Sequence, residues 1–267
     1  VLGYSKEGGI IVNGDLTEFG DQGPDLDDYI SYYEHGLDMN VYAGLGNHDY
    51  DNNVDDCFEN QCASTMVWYL KEQVRSYNPW LFDYTESGTY YDFPSNRRDH
   101  AGSLAYSWEV GDVHFVQLNN YPSYTESWNG WNFSAARRDY FTIRSALNWL
   151  RLDLSMAAVR GKKIVLNLHD FGADASNAEF NAILDDFPVS AINAGHIHSS
   201  HGLLQEMGPF SDGKKLPVFR SGSAHYGTFL VTRYKDGKMY VWEMAVDHLN
   251  NGKLQVNYGG TSYDATN

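Results

Sequence analysis

Cysteine is nearly absent from this chain: Cys57 and Cys62 are the only two among 267 residues, and both sit in one short polar stretch. At most one bridge can form, and the loop it closes is too short to contribute much to global stability. Bases are scarce as well. Lys and Arg number 19 against 35 Asp and Glu, a formal charge of −16, which repels a phosphate backbone and leaves no basic stripe to attract polymeric nucleic acid. No apolar run approaches the roughly 18 residues that a membrane-spanning helix needs. Internal repeats, low-complexity tracts and linker-like runs are missing too, so nothing divides the chain and we expect one domain over residues 1–267. The start, Val1-Leu2-Gly3-Tyr4, has neither an initiating Met nor a basic signal-peptide region, so Val1 is not expected to be the first residue of the gene product.

What is present fits a globular chain with a substantial core: 42% of residues are hydrophobic, with 20 Tyr and 7 Trp. The spacing of Cys57 and Cys62 allows a local disulfide, and two free thiols of a cytosolic protein are the alternative. Paired cysteine use and the wealth of Tyr, Trp and Asn lean toward a secreted or periplasmic protein.

Apolar runs alternate with helical patterns. Gly9 to Asp15 is a short apolar run ending in Gly-Asp, followed by a helix over 24–35 opened by Pro24 and acidic residues. Val41 to His48 is a second apolar run with a polar end, and a helix follows over 63–76. Two alternating runs over 103–118, joined by Gly111-Asp112, predict a β-hairpin. Ala146, Leu147, Leu150, Leu154 and Ala157 predict a helix over 143–159, stopped by Gly161. Strands are expected at 163–169, 189–194 and 216–221, a helix over 177–186, and a final hairpin over 229–244 turning at Asp236-Gly237. Parallel βα units early and further strands late predict two packed mixed sheets flanked by helices.

Four strand ends carry metal-ligand chemistry: Gly14-Asp15, Gly46-Asn47-His48-Asp49, His169-Asp170 and Gly195-His196-Ile197-His198. Singly, a Gly-Asp is an ordinary turn and a His after a strand an ordinary hydrogen-bonder; their joint occurrence in this order is far more specific. Glycines before Asp15, Asn47 and His196 permit the close backbone approach that ligands converging on a small cation require. Imidazole, carboxylate and amide donors without thiolate suit Mn, Fe or Zn.

In these blocks the sequence resembles the calcineurin-like metallophosphoesterases, whose ordered signature is D-x-H, G-D, G-N-H-[DE], a lone H, and G-H-x-H. Four of the five blocks are present, from Asp15 to His198. The resemblance implies a four-layer α/β/β/α sandwich of two mixed sheets with a dinuclear metal centre at its strand C-termini. It also implies two divalent or trivalent transition-metal ions (Mn, Fe or Zn) and hydrolysis of a phosphoric ester by a metal-bridging hydroxide. By position, Asp15 resembles the bridging carboxylate, Asn47, His169 and His196 the other ligands of one metal, and His198 a ligand of the second. His48 resembles the histidine that contacts phosphate and protonates the leaving oxygen, with Asp49 orienting its imidazole.

The D-x-H block is missing. Asp112-Val113-His114 has its letters, but Asp112 falls in a hairpin turn and the triplet comes after the second and third blocks. We therefore expect a catalytic domain lacking its first strand, the missing ligands lying on an N-terminal segment; a degenerate member binding one metal or none is the alternative. Purple acid phosphatases carry Tyr three residues after the bridging Asp, where this chain has Glu18, so a tyrosinate-bound ferric ion is not expected. Gly14-Asp15-Leu16-Thr17 looks more like the bacterial phosphodiesterase-type members.

Asn119, Asn120 and Tyr121 follow a strand that the family places beside the site, and His201 and His225 trail two others; Asn120, Tyr121 and His201 are the candidate substrate contacts, with rim or capping roles as the alternative. Segments 77–91 and 124–133, with Trp128, Trp131 and Phe133, read as long aromatic loops able to shape a pocket. The expected partner is a small phosphorylated substrate, monoester or diester, and no polymeric nucleic acid. The rival functions are a catalytically impaired binding or toxin-associated module, and a carbohydrate-binding domain built on the aromatic loops, which would retain sugar affinity after chelation.

Overall fold

The computed structural model describes residues 8–235, 237–247, 253–256 and 261–264. Val1 and Asp236 of the last predicted turn lie outside them. In chain order the elements begin with β1 (Gly9–Asn13), α1 (Asp25–Tyr29), β2 (Asn40–Gly44) and α2 (Gln61–Ser76). Next come β3 (Leu81–Phe82), β4 (Thr85–Glu86), β5 (Tyr90–Asp92), β6 (Ser95–Gly102), β7 (Tyr106–Val110), β8 (Val113–Gln117), β9 (Glu126–Asn132) and β10 (Arg137–Ile143). The chain continues through α3 (Leu147–Val159), β11 (Lys163–Leu168), α4 (Phe171–Asp174), α5 (Ala178–Asp186), β12 (Val189–Ala194), β13 (His201–Met207) and β14 (Leu216–Ser221). It ends in β15 (Thr228–Lys235), β16 (Lys238–Asp247), β17 (Lys253–Val256) and β18 (Thr261–Asp264).

The fold is the expected mixed α/β type with several mixed sheets. Its backbone is a seven-stranded sheet of order β13-β14-β12-β11-β8-β7-β3, in which β8, β11, β12 and β14 run parallel. β11 is covered on both faces, which is why Ile164-Val165-Leu166-Asn167-Leu168 reads as one nearly continuous apolar run. On one face Leu147, Leu150, Leu154 and Ala157 of α3 and Phe180, Ile183 and Leu184 of α5 close over Ile164, Leu166 and Leu168. Each Leu, Ile and Phe among them contributes about 1.5–3 kcal/mol relative to exposure. On the other face Ala191 and Phe219 meet Met239 and Val241 of β16.

The parallel pair β1–β2 also belongs to this second layer. Tyr42 stacks on Trp108 at 4.2 Å and the Tyr106 hydroxyl donates to the Ala43 carbonyl at 2.8 Å, tying β2 to β7. Over it lies α2, whose Ala63, Met66, Val67, Leu70 and Val74 follow helical spacing. The ends of β1, β2, β11 and β12 are thereby brought together. Among the described residues no helix is long and apolar enough to cross a membrane, and Cys57 forms a disulfide with Cys62 in the first turn of α2.

Three differences from the sequence expectations have local causes. The segments expected as aromatic loops are strands: β3, β4, β5 and β9, three of them in a five-stranded sheet of order β4-β6-β10-β9 with β5 on β6. Alternation there was masked because inward positions of β9 and β10 include Gly130, Asn132 and Asp139, and the two polar residues satisfy each other, Asn132 Nδ2 donating to Asp139 at 2.9 Å. Ile143, assigned to the helix, instead completes β10 opposite Glu126 and Gly102, so α3 starts at Leu147. The helix expected over 24–35 is α-helical only to Tyr29 and continues as a π-type turn, Ile30–Glu34.

Candidate metal centre

β1 ends in a left-handed reversal, Gly14 at φ 88° and Asp15 at φ 52°, that aims the Asp15 carboxylate across β2. The crowding requires glycine. A Cβ on Gly14 would fall 2.6 Å from the Gly46 nitrogen and 2.7 Å from His169 Nδ1, and one on Gly46 would fall 2.3 Å from Asp15 Oδ1. The glycine spacing noted in the sequence thus has a direct steric cause.

His169, at the end of β11, is buried. Its Nδ1 lies 2.7 Å from the Asn13 carbonyl, which fixes the ring by accepting that proton. Its Nε2 faces inward, 2.9 Å from Asn47 Oδ1, 3.2 Å from Asp15 Oδ2 and 3.2 Å from His196 Nδ1. His196 itself is held at φ 67°, an uncommon conformation for a non-glycine residue and one that clusters at functional sites. Its Nε2 lies 3.8 Å from Asp170 Oδ2. One ligand atom each from Asp15, His169 and His196 lie within 4.8 Å of one another.

The electrostatics are those of a compact ligand cluster. Burial alone would raise the Asp15 carboxyl, but the hydrogen bond and charge of His169, together with the His48 N–H, outweigh it and hold it below its ordinary value. Burial would depress His169, and its contacts with Asp15 and Asn13 overcome that and raise it. His196 is lowered, first by burial and then by its neighbour His169.

Asp49 is completely buried and works on the backbone. Its carboxylate accepts from Gly46 N at 2.8 Å, Thr17 N and Thr17 Oγ1 at 3.0 Å, and Leu16 N at 3.2 Å. Burial pushes it up to about 6, against the pull of the Gly46 N–H. It pins the turn after β1 to the turn after β2. The expectation that Asp49 orients the His48 imidazole is corrected: His48 Nδ1 lies instead 2.9 Å from the Glu18 carbonyl and 3.7 Å from its carboxylate. Asp49's oxygens are already taken by backbone donors.

The structure therefore gathers Asp15, Asn47, His169 and His196, with His48 and Asp49 on the same turn. His198 is exposed and stands outside the group of ligand atoms found among the described residues. Asn120 is buried, its side-chain amide donating to Asp51 at 3.2 Å and its backbone carbonyl accepting from Asp170 N at 2.7 Å. Tyr121 packs edge-on against Tyr124, and His201 is an exposed residue opening β13. Asn119 bonds Leu45 N and the Leu104 carbonyl. His114 is sealed in the core, 2.8 Å from Asp153, so Asp112-Val113-His114 has no part in this cluster. Sequence reasoning named Asp170 within the His169-Asp170 block but gave it no role of its own, and it passed over Asn13, which contributes a backbone carbonyl that no side-chain motif can signal.

The family model for calcineurin-like phosphoesterases matches residues 7–200, most of the chain. The chain belongs to the calcineurin-like phosphoesterase family. No curated protein sequence matches it. As a calcineurin-like phosphoesterase it is a phosphoesterase-type hydrolase of a metal-dependent family. The donor set fits that requirement for one ion: carboxylate, amide oxygen and two imidazoles converge, and His169 spends Nδ1 on a backbone carbonyl while its Nε2 faces the cluster.

Proposed function

We propose that residues 1–267 act as one catalytic domain, a secreted or periplasmic enzyme that hydrolyses a small phosphoric ester with a dinuclear metal centre. The observation that carries this is the convergence of Asp15, Asn47, His169 and His196 at the ends of four strands in a chain of this family. The Cys57–Cys62 disulfide supports the oxidising compartment. Asp15, Asn47, His169 and His196 would hold the first ion, and His198 would contribute to the second. When bound, the ions supply a water of lowered pKa and positive charge beside the phosphoryl oxygens.

The chain's own groups do the rest. The Asn13 carbonyl holds the His169 tautomer, and Asp49 locks the two turns that present Asp15 and Asn47. His48, half-buried and steadied at Nδ1 by Glu18, would deliver a proton from Nε2 to the leaving oxygen. Elemental analysis of the purified chain, with Mn-supplemented hydrolysis of an aryl phosphate monoester and diester, tests the proposal. The expected result is about two metals per chain and EDTA-sensitive turnover of one ester class. One metal or fewer with no turnover of either ester would overturn it.

One observation favours a second function. His198 is exposed and outside the ligand group, so a chain that holds a single ion would serve as a catalytically impaired binding module. The same metal count separates the two.

A further inference from the structure

The outer face of the five-stranded sheet carries a second constellation, remote in chemistry from the ligand cluster. Trp131 and Arg138 are directly opposed on β9 and β10, and Arg138 is paired in turn with Arg97 on β6. With Tyr140 and the turn at Phe93-Pro94, these residues line an open cleft of about 300 Å³. Phe93 is 85% exposed. Trp131 is held by its backbone: its N–H donates to Glu59 at 3.2 Å and its carbonyl accepts from Gln61 Nε2 at 2.7 Å.

Both arginines are already neutralised. Arg97 bonds Asp99 at 2.6 Å and Asp92 at 3.1 Å while lying 3.7 Å over the Tyr140 ring. Arg138 bonds Asn129 at 2.6 Å and Glu59 at 3.2 Å. Neither arginine leaves an unpaired positive charge in the cleft for an anion, and the net charge of −16 opposes one further. What remains is the aromatic surface of Trp131 and Phe93, beside a Tyr140 ring that carries Arg97 and edged by fixed donors and acceptors, the chemistry that meets the C–H face and vicinal hydroxyls of a sugar.

We propose that this cleft, built on Trp131, Tyr140, Arg97 and Arg138, binds a neutral oligosaccharide independently of the metal centre. Calorimetric titration of the full chain in EDTA with neutral hexasaccharides of β-1,4-linked glucose, xylose, mannose and N-acetylglucosamine and of α-1,4-linked glucose tests it. At least one is expected to bind, with Asp15→Asn leaving the affinity unchanged. Trp131→Ala and Tyr140→Ala should each weaken binding by about tenfold, while both keep the wild-type rate on an aryl phosphate. Should Trp131→Ala fail to fold, Trp131→Phe and Tyr140→Ala carry the test. Absence of binding by all five sugars at millimolar concentration would overturn the proposal. So would affinity that survives both aromatic substitutions, or binding of a sulfated dextran alone.

Discussion

Among the described residues three buried histidines sit beside aspartates, and one of them, His169, belongs to the group of converging donors. His114 lies 2.8 Å from Asp153 and 3.4 Å from Glu109, so both ring nitrogens are spent. Ser107 occupies the other Asp153 oxygen at 2.9 Å, and the network is closed. His100 also faces protein groups on both sides: Tyr84 lies 2.5 Å from Nδ1, and Nε2, without a hydrogen bond, makes an ion-pair contact with Asp139 at 3.5 Å. His169 gives one nitrogen to a backbone carbonyl and turns the other toward Asp15, Asn47 and His196 together. Residue type is the same in all three. What separates a metal site from a core hydrogen bond is a surplus of donors converging on one point.

The sharpest way to break the comparison is at the open pair. Asp15→Asn should lower hydrolysis roughly a thousandfold or more, since the metal's charge stabilisation amounts to several kcal/mol, and should reduce bound metal in elemental analysis while urea unfolding changes little. The closed pair should behave in the opposite way. Asp153→Ala leaves His114 and Ser107 without a buried partner, and we expect a loss of about 3–5 kcal/mol in urea unfolding with unchanged turnover per folded molecule. If Asp153→Ala instead lost metal, the distinction between the pairs would fall.

Asp49 lies between the two cases, a closed carboxylate serving an open site. Asp49→Asn is expected to weaken metal affinity about 10- to 100-fold, read by titration with a chelator of known strength. An unchanged affinity would show that the two turns hold themselves. The smallest effect belongs to the His100–Asp139 ion pair. Burial alone would raise Asp139, but His100, Arg137 and Asn132 outweigh it and hold it down at about 2. A depressed carboxyl stabilises the fold above its unfolded value near 4 and loses that contribution as pH falls toward 2. Removing it with Asp139→Asn should flatten the acid limb of the stability profile between about pH 4 and 2 by roughly 1–2 kcal/mol, after allowing for solvent screening.

Much of this was legible in the sequence because the relevant rules are local. The strand at β11, the helix α2, the helical spacing of α3 and the helix opening near Asn177 each follow from residues close in the chain. Asn177 accepts from Glu179 N at 3.0 Å and Phe180 N at 3.1 Å, as a cap should. The ligand letters were equally visible, since Gly-Asp, Gly-Asn-His and Gly-His stand at strand ends in fixed order. The sheet formed by β4, β5, β6, β9 and β10 was not legible. Its inward positions include His100, Asn132 and Asp139, polar residues whose burial makes sense only once their partners on neighbouring strands are in place.

By itself, then, the sequence determined the family, the set of residues able to bind a cation and most of the elements outside the five-stranded sheet, because propensity, periodicity and motif order are properties of neighbouring positions. Only the tertiary structure decided which histidines converge with Asp15 and Asn47, that Asp49 holds backbone and Glu18 meets His48, and that His198 stands apart. Those outcomes depend on which hydrogen-bonding groups remain unspent once distant strands pack. Asp15 and His169, 154 positions apart in the chain, face each other across 3.2 Å because β1 and β11 end at the same point in space.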